Sequence, residues 1–362
     1  MKNTLLPALV AIALALPATA AAEIGELDAD PQGRAVVIGT AARKGRTSAA
    51  IVRYLPDGSL DPSFSGDGVL LTDFGLGAPA TAAAFGAVDE EGRILVLAGV
   101  LRRGSSCGER PSVQRQDRVL ARLTPEGAFD VSFGGLHGAD VEPLRTVTAI
   151  ALAPDGGIVI AGTPLQSCGQ GPRTGLIRLR ADGSRLGRFG ADGTRRLSGS
   201  AASVAVDGEG RIVVLCRSRQ QRSRDEHATK ILRLLPGGGL DADFSGGWIV
   251  YTTEGPFYRW STVAIRPNGH PMLVGTLIRP PSEKDRRFHR WFLAVPLAAN
   301  GRLEGGVSWR GWAWITRFDK RSDAAASEAL IDRKGRLLIA GTAGRPGSAP
   351  DGALALARFE LL

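Results

Sequence analysis

The stretch ALAPDGGIVIAGT, residues 151–163, decides the fold of this chain. Small and branched apolar residues lead into a Pro-Asp-Gly turn, and a second β-branched run leaves the turn, which is typical of a β-hairpin. Imperfect copies recur along the chain, and their spacing of roughly sixty residues indicates a repeated supersecondary unit. The glycine that closes the turn is found at Gly33, Gly92, Gly156, Gly210, Gly269 and Gly335.

The residues around each turn support this interpretation. An Asp at the first turn position accepts hydrogen bonds from the backbone that follows, and a glycine at the last position adopts the left-handed conformation. The chain has 48 glycines in 362 residues, about twice the ~7% background, which fits a fold with many tight turns. Asp stands three places before the turn glycine at Asp30, Asp89, Asp207 and Asp332.

Two further strands follow each hairpin. The third contains a recurrent Arg, as in AIVRYLPDG from Ala50 and KILRLLPGG from Lys230. The fourth is introduced in five units by turns such as LDPSFSGDG from Leu60. Four antiparallel strands per unit, joined by short turns, predict the blades of a propeller. We therefore predict an all-β fold, a six-bladed β-propeller of four-stranded repeats. The last blade is three-stranded unless residues around Ala22 to Ile24 fill its outer edge.

The N-terminus has the pattern of a secretory signal peptide. Lys2 precedes an apolar run from Leu5 to Leu16, which is followed by the small residues ATAAA. We predict a signal peptide at 1–22 and a single propeller domain at 23–362, exported to the periplasm or secreted, and no later run is apolar enough to span a bilayer. The predicted repeat units cover about 23–80, 81–144, 145–198, 199–257, 258–322 and 323–362.

The first strand of each hairpin is predicted to be the innermost strand of its blade. Blades converge on a central axis, so the strand nearest that axis needs small side chains. The position five residues before the turn glycine is mostly Ala, as the six residues show: Asp28, Ala87, Ala151, Ala205, Ala264 and Leu330.

Together these patterns resemble a known repeat. The D-x-x-G-[RK]-[IL]-x-[VI]-x-G hairpin, the [AL]-R-[LYF] strand and the L-D-x-x-F-[GS] turn are similar to the delta-60 repeat and, more distantly, to NHL-type propeller repeats. The resemblance covers nearly all of the mature chain and implies the propeller fold, but it implies no common activity. The third repeat departs from the pattern at Leu186 and Gly187, and the fifth departs at Pro296 and Val307.

The recurrent Arg of the third strand, for example Arg53, is followed by an Asp of the next turn, such as Asp61. We interpret this pairing as a structural Arg–carboxylate bond in each blade, because a planar guanidinium can make two hydrogen bonds to one carboxylate. Ligands seldom need the same residue in every unit of a repeat.

One pair of carboxylates is a candidate axial ion site. Seven residues before the turn glycine, the first repeat has Glu26 and the sixth has Glu328, while the other four repeats have no acidic residue there. The two blades are neighbours if the ring closes, and carboxylates held close together raise one pKa or recruit a cation. The alternative is that each side chain meets an arginine or solvent.

The cysteines suggest one disulfide. Cys107 and Cys168 share a Ser-Cys-Gly context and lie in corresponding loops of adjacent repeats. Export makes their pairing chemically allowed, and on the chain-entropy model a loop of this length contributes up to ~4 kcal/mol. Cys216 is left as a buried thiol.

The loops between the second and third strands are basic. The chain has 45 Lys plus Arg against 36 Asp plus Glu, a net charge of +9. These six loops hold 20 basic and 7 acidic residues, so they carry +13 and the rest of the chain carries −4. Such a field attracts anionic polymers or surfaces, although charged loops also serve solubility alone. The candidate binding residues are Arg102, Arg103, Arg115, Arg219, Arg222, Arg224, Arg286, Arg287 and Arg290.

The sequence is compatible with two classes of function. The preferred one is a non-catalytic binding or scaffold propeller that engages an anionic glycan, a cell-wall polymer, a lipid head group or a protein. Nucleic acid is disfavoured by export and by the scarcity of stacking aromatics beside the arginines. The alternative is a six-bladed propeller enzyme of the metal-assisted hydrolase or lactonase type. We assign no catalytic residue, metal ligand or cofactor, because the four histidines and three cysteines lack metal-site spacing.

Overall fold

The computed structural model confirms an all-β chain. Its described residues are organised into strands, with one short 3-10 turn at Ser245–Gly247. Among these residues no helix is long and apolar enough to cross a membrane. The structure describes residues 21–43, 46–77, 81–100, 118–135, 138–164, 173–219, 227–251, 257–279, 289–304, 314–316, 323–331, 335–344 and 353–360.

The strands of the first three repeats form three antiparallel sheets, and each sheet follows chain order. The first sheet contains β1 (Ala21–Ala29), β2 (Ala35–Arg43), β3 (Arg46–Tyr54) and β4 (Val69–Thr72). The second contains β5 (Thr81–Val88), β6 (Ile94–Val100) and β7 (Arg118–Leu123). The third contains β8 (Leu144–Leu152), β9 (Ile158–Pro164), β10 (Arg173–Leu179) and β11 (Thr194–Ser198).

The remaining repeats form three more sheets of the same kind. The fourth contains β12 (Ser200–Val206), β13 (Ile212–Arg219), β14 (His227–Leu234) and β15 (Trp248–Tyr251). The fifth contains β16 (Phe257–Ile265), β17 (Pro271–Arg279), β18 (His289–Pro296) and β19 (Trp314–Thr316). The sixth contains β20 (Asp323–Ile331), β21 (Arg336–Gly344) and β22 (Ala353–Glu360).

The turns have the predicted chemistry. All six turn glycines have positive φ, between 73° and 78°. Asp30 Oδ1 accepts hydrogen bonds from the backbone N–H groups of Gln32 and Arg34, each at 2.9 Å. Asp89 and Asp207 bind the corresponding groups of their own turns. The hairpin is thus fixed by local bonds before any contact between sheets is made.

The core lies between the sheets. Successive side chains of a strand point to opposite faces, so Ile94 and Val96 pack against the first sheet while Leu95 and Leu97 pack against the third. Five such clusters join consecutive sheets from the first to the sixth. Both faces of a sheet are therefore buried, which explains why the second strands are apolar without interruption.

A repeated arginine clasp adds polar contacts between sheets. Arg122 Nε donates to Asp130 Oδ2 at 2.7 Å, and its Nη1 donates to the carbonyl of Ala181 in the next sheet at 2.6 Å. Hydrogen bonding by Ser132 and then by Arg122 outweighs the effect of burial and holds the pKa of Asp130 below its usual value. The same clasp is made by Arg53 with Asp61 and Pro125, and by Arg233 with Asp241 and Ala299. The structural interpretation of these arginines is confirmed.

In the third and fifth repeats, which depart from the sequence motif, other residues form the arginine–carboxylate bond. In the third sheet, Leu186 stands where an Asp would be, and Arg178 donates instead to Asp155 of its own hairpin turn at 2.6 Å. In the fifth, where Pro296 replaces the third-strand Arg, Arg266 of the hairpin turn donates to Leu297 O at 2.6 Å and to Glu304 at 2.8 Å. An arginine thus still bonds to a carboxylate of its own repeat in these two sheets.

The outer strands settle one open alternative and contradict one expectation, a fourth strand in the second sheet. Residues Ala22 to Ile24 do not extend the sixth sheet, because they lie in β1 and pair with β2. The sixth sheet has three strands among the described residues, as the alternative predicted. The second sheet also has three there, since the segment after its Asp turn makes only a single bridge, Leu120 to Ala139, before Val141 and Leu144 form a turn.

Candidate functional site

A β-bulge recurs at the same place in every innermost strand. One extra residue interrupts the pairing just before the position seven residues ahead of the turn glycine. Bulges re-aim the side chains beside them and are frequent next to binding sites. The residues that directly follow the bulges are Glu26, Phe85, Ala149, Ser203, Thr262 and Glu328.

The innermost strands surround a central cavity of about 410 Å³. All six strands contribute to its wall, and consecutive innermost strands contact one another from β1 to β20. This confirms that the first strand of each hairpin is the inner one. The wall includes the predicted small-residue positions Asp28, Ala87, Ala151, Ala205, Ala264 and Leu330.

Polar side chains from three sheets meet on this wall. Ser203 Oγ and Thr262 Oγ1 lie 2.9 Å apart, and both side chains are buried. Glu328 lines the same wall, and the Thr262 hydroxyl acts on its carboxyl group to lower the pKa. Ser203 Oγ accepts a hydrogen bond from the backbone N–H of Val263 at 3.2 Å. Hydrogen-bonded hydroxyl groups of the fourth and fifth sheets thus share the cavity wall with the carboxyl group of the sixth.

Glu328 is the ionisable group of this part of the wall. Its side chain is accessible from the cavity, yet the surrounding walls remove much of its hydration. This desolvation raises the pKa of Glu328, while hydrogen bonds from Thr262 and from the backbone N–H of Ala329 oppose the rise. Glu328 thus lies on the wall of the cavity, and its role in an axial ion site stays a prediction.

Asp28 is a second carboxylate on the wall. Its Oδ1 accepts a hydrogen bond from Ala29 N at 2.7 Å, and its Oδ2 accepts one from Val88 N of the second sheet at 2.8 Å. These bonds link β1 to β5. Glu26 is placed in β1, paired with Ile38, but its side chain lies outside the described part of the structure. The proposed Glu26–Glu328 pair therefore stays a prediction.

Most of the predicted basic residues fall in loops outside the described residues, namely Arg102, Arg103, Arg115, Arg222, Arg224, Arg286 and Arg287. Arg219 ends β13, where its backbone pairs with His227. Arg290 lies in β18, half-buried and paired with Ile278. Both positions are at the end of the sheet from which the loops between second and third strands leave.

The structure describes one of the three cysteines. Cys107 and Cys168 lie outside the described residues. Cys216 is free and buried, as predicted, and burial raises the pKa of its thiol to about 11. No group of three or more His, Cys, Asp or Glu that could hold a metal ion occurs in the described part of the chain.

Sequence reasoning missed Asp28, Ser203 and Thr262 as parts of the site. Asp28 is the one polar residue in a row that otherwise holds four Ala and one Leu, and Ser203 and Thr262 occupy the same repeat position as Glu328. Comparing that position for any polar side chain, rather than for carboxylates alone, would have found the hydroxyl groups.

Two segments of the chain, residues 31–64 and 153–185, match the family described as "Domain of unknown function (DUF5122) beta-propeller". Each segment runs from a hairpin turn through the third strand into the turn that follows it. The chain is a β-propeller repeat protein. Curated protein sequences give no match to this propeller.

Solved structures are similar to the propeller over most of its length. A protein of unknown function from Dyadobacter fermentans has 13% identity and a TM-score of 0.51, with 94% of each chain covered. A glucose dehydrogenase has 11% identity and a TM-score of 0.50, covering 94% of this propeller and 100% of that chain. A gluconolactonase from Xanthomonas campestris has 16% identity, coverage of 69% and 68%, and a TM-score of 0.38. Identities this low concern the fold alone.

Proposed function

We propose that this protein is an exported, non-catalytic binding propeller of six blades that engages an anionic polymer through its basic loops. The loops concerned connect the second and third strands of each sheet, and we call the end of the propeller that carries them the loop face. Closure of the ring between the first and sixth sheets is part of the proposal. It is supported by Tyr54, Val37 and Val52, which are buried on the face of the first sheet directed away from the second.

The observation that carries the proposal is a set of exposed arginines on the loop face. Arg46 begins β3, Arg173 begins β10 and Arg279 ends β17, and all three are exposed. They come from the first, third and fifth sheets, so the positive charge is distributed around the face rather than confined to one loop. A distributed field of one sign suits a long anionic chain better than a single small anion.

Export narrows the class of target. A signal peptide at 1–22 would place the loop face outside the cytoplasm, where anionic glycans, cell-wall polymers and lipid head groups are present. A protein with an acidic surface is the other anionic partner that the loop face could bind. The polymer is preferred because the exposed arginines Arg46, Arg173 and Arg279 come from three different sheets, which allows contact along an extended ligand.

The alternative function is a metal-assisted hydrolase or lactonase with an axial site. One observation favours this alternative: the pKa of Glu328, on the wall of the cavity, is raised. Such enzymes need several inward oxygen or nitrogen ligands for their metal. The described wall offers two carboxylates, Asp28 and Glu328. Both already accept hydrogen bonds from the backbone. The binding function is therefore preferred.

The test is a heparin titration at low ionic strength. Replacing Arg222, Arg224, Arg286 and Arg287 by Ser should lower the affinity by about fourfold or more, at ~0.2–1 kcal/mol for each of four exposed ion pairs. Added salt should weaken heparin binding by the wild-type protein and make the difference in affinity between wild type and variant smaller.

The matched control uses the opposite end of the propeller. Arg188 and Arg302 are exposed in turns there, so Arg188→Ser/Arg302→Ser removes the same charge as Arg286→Ser/Arg287→Ser. Only the second pair should weaken heparin binding. If both double variants lost the same affinity for heparin, net charge alone would explain the effect. If the variant with all four substitutions lost no affinity, the loop face would not be the binding surface.

A further inference from the structure

The described wall of the central cavity carries acidic, hydroxyl and apolar side chains and no basic residue. Asp28 and Glu328 are its two carboxyl groups, and no Lys, Arg or His is among the described residues that line it. Phe85, Leu152 and Ile265 contribute apolar surface to the same wall. Its volume of about 410 Å³ is typical of small-molecule sites, which span roughly 300–1,000 Å³.

The hydroxyl path prepares Glu328 to carry a negative charge. An ionised carboxylate only accepts hydrogen bonds, so Thr262 must donate to it. Either hydroxyl of the Ser203–Thr262 pair can be the donor, and Ser203 accepts from the N–H of Val263. When Thr262 donates to Glu328, Ser203 donates to Thr262 Oγ1, and every donor of this path then points towards the carboxylate. Such a chain of hydrogen bonds polarises its members in one direction and stabilises the charged end.

The carboxylate keeps acceptor capacity on the cavity side. Two carboxylate oxygens offer about four acceptor sites, whereas the named donors to Glu328 are the Thr262 hydroxyl and the Ala329 N–H. Desolvation opposes its ionisation. A cation in the cavity would supply the charge that the hydroxyl path alone does not.

We propose that the axial cavity binds a small organic cation, with an ammonium group on the Glu328 carboxylate and an apolar body against Phe85 and its neighbours. A primary ammonium donates three hydrogen bonds and fits an acceptor-only partner, and an aromatic wall also attracts cations. A bare metal ion fits less well, because the described residues offer no group of three or more ligands.

This site is separate from the loop face. The wall includes Leu152, Val206, Ile265 and Ile331, the last residues of their strands. Those residues adjoin the hairpin turns, at the end of each sheet opposite to the loops between second and third strands. Failure of polymer binding would therefore leave the cavity proposal intact, and the reverse also holds.

The test compares two ligands of similar shape by isothermal titration calorimetry on the full mature chain. Benzylammonium should bind, and benzyl alcohol, which lacks the charge, should bind at least about tenfold more weakly, because hydrogen bonds to charged groups are the stronger ones. Concentrations up to about 10 mM cover the weak end of the affinity scale.

Three variants locate the interaction. Glu328→Gln keeps the shape of the side chain and should reduce benzylammonium affinity by about tenfold or more. Thr262→Val keeps the carboxylate but removes its donor, so an intermediate loss is expected. Glu126→Gln makes the same chemical change at an exposed turn away from the cavity and should bind as the wild type does.

The outcomes separate cleanly. The proposal is supported if benzylammonium is preferred and the preference is lost in Glu328→Gln but kept in Glu126→Gln. It is overturned if benzyl alcohol binds equally well, if neither ligand binds, or if Glu328→Gln has no effect. Should Glu328→Gln not fold, wild-type affinity in Thr262→Val would overturn it. Binding of Ca²⁺ but not of benzylammonium would overturn it in favour of an axial ion site.

Discussion

The guanidinium carbon of Arg233 lies 4.8 Å from the centre of the Phe244 ring. Both side chains are buried, and Arg233 also donates to Asp241 of its own sheet and to Ala299 O of the next. Arg53 with Phe64 and Arg122 with Phe133 repeat the arrangement at 4.9 and 4.8 Å. A single arginine thus combines stacking, an ion pair and a contact between blades.

The first prediction concerns this arginine. Arg233→Ala leaves Asp241 buried without its partner and should lower the free energy of unfolding by about 3–5 kcal/mol. Arg233→Lys keeps the charge but loses the planar stack and the fork of donors, so a smaller loss of about 1–3 kcal/mol is expected. The midpoint of denaturant unfolding measures both effects. Arg188→Ala, at an exposed position, should change the free energy by less than ~0.5 kcal/mol. A neutral Arg233→Ala would contradict the structural role.

The second prediction concerns the glycine beneath the aromatic ring of the neighbouring blade. Gly127 has a φ of +90°, and an added Cβ would lie 2.9 Å from Phe64. Gly66 has nearly the same φ, +88°, with nothing within 4 Å of an added Cβ. Gly66→Ala should therefore show backbone strain alone, about 1–2 kcal/mol, and Gly127→Ala should cost about 1–3 kcal/mol more through overpacking. Equal losses of stability would show that the ring contact does not matter.

The third prediction follows from the raised pKa of Glu328. A carboxyl whose pKa is higher in the folded state than in the unfolded state favours folding while protonated, and this contribution is lost as pH rises. The loss begins near the ordinary value of 4.5 and is complete once pH passes the folded-state pKa. The stability of Glu328→Gln relative to wild type should consequently increase with pH over this window. Denaturant unfolding from pH 4 upward measures the difference. A difference that falls as pH rises would refute the desolvated state of Glu328.

The fourth prediction concerns the cysteines. Non-reducing peptide mapping of exported protein should find Cys107 joined to Cys168, because the two loops are equivalent in adjacent repeats. Cys216 should resist iodoacetamide in the native protein and react after denaturation, because its thiol is buried and has a raised pKa of about 11. Detection of Cys107 as a free thiol would contradict the pairing.

The sequence alone predicted the repeat, its hairpins and the order of strands within a blade. The reason is that these features depend on local chemistry, as the Asp30 turn shows with its own backbone bonds and the left-handed Gly33. The position of Glu328 in its strand was also predictable, because a fixed distance of seven residues from the turn glycine identifies the same strand position in each blade.

The tertiary structure decided what the repeats do to one another. Nothing in the sequence near Arg178 indicates that Asp155 replaces the missing turn carboxylate, because that contact depends on how two turns approach in space. The path from Ser203 through Thr262 to Glu328 likewise joins residues of three blades. A hydrogen bond exists only within a narrow range of distance and angle, so the polarity of the axial cavity follows from the packing of the blades and could not be derived from their sequence.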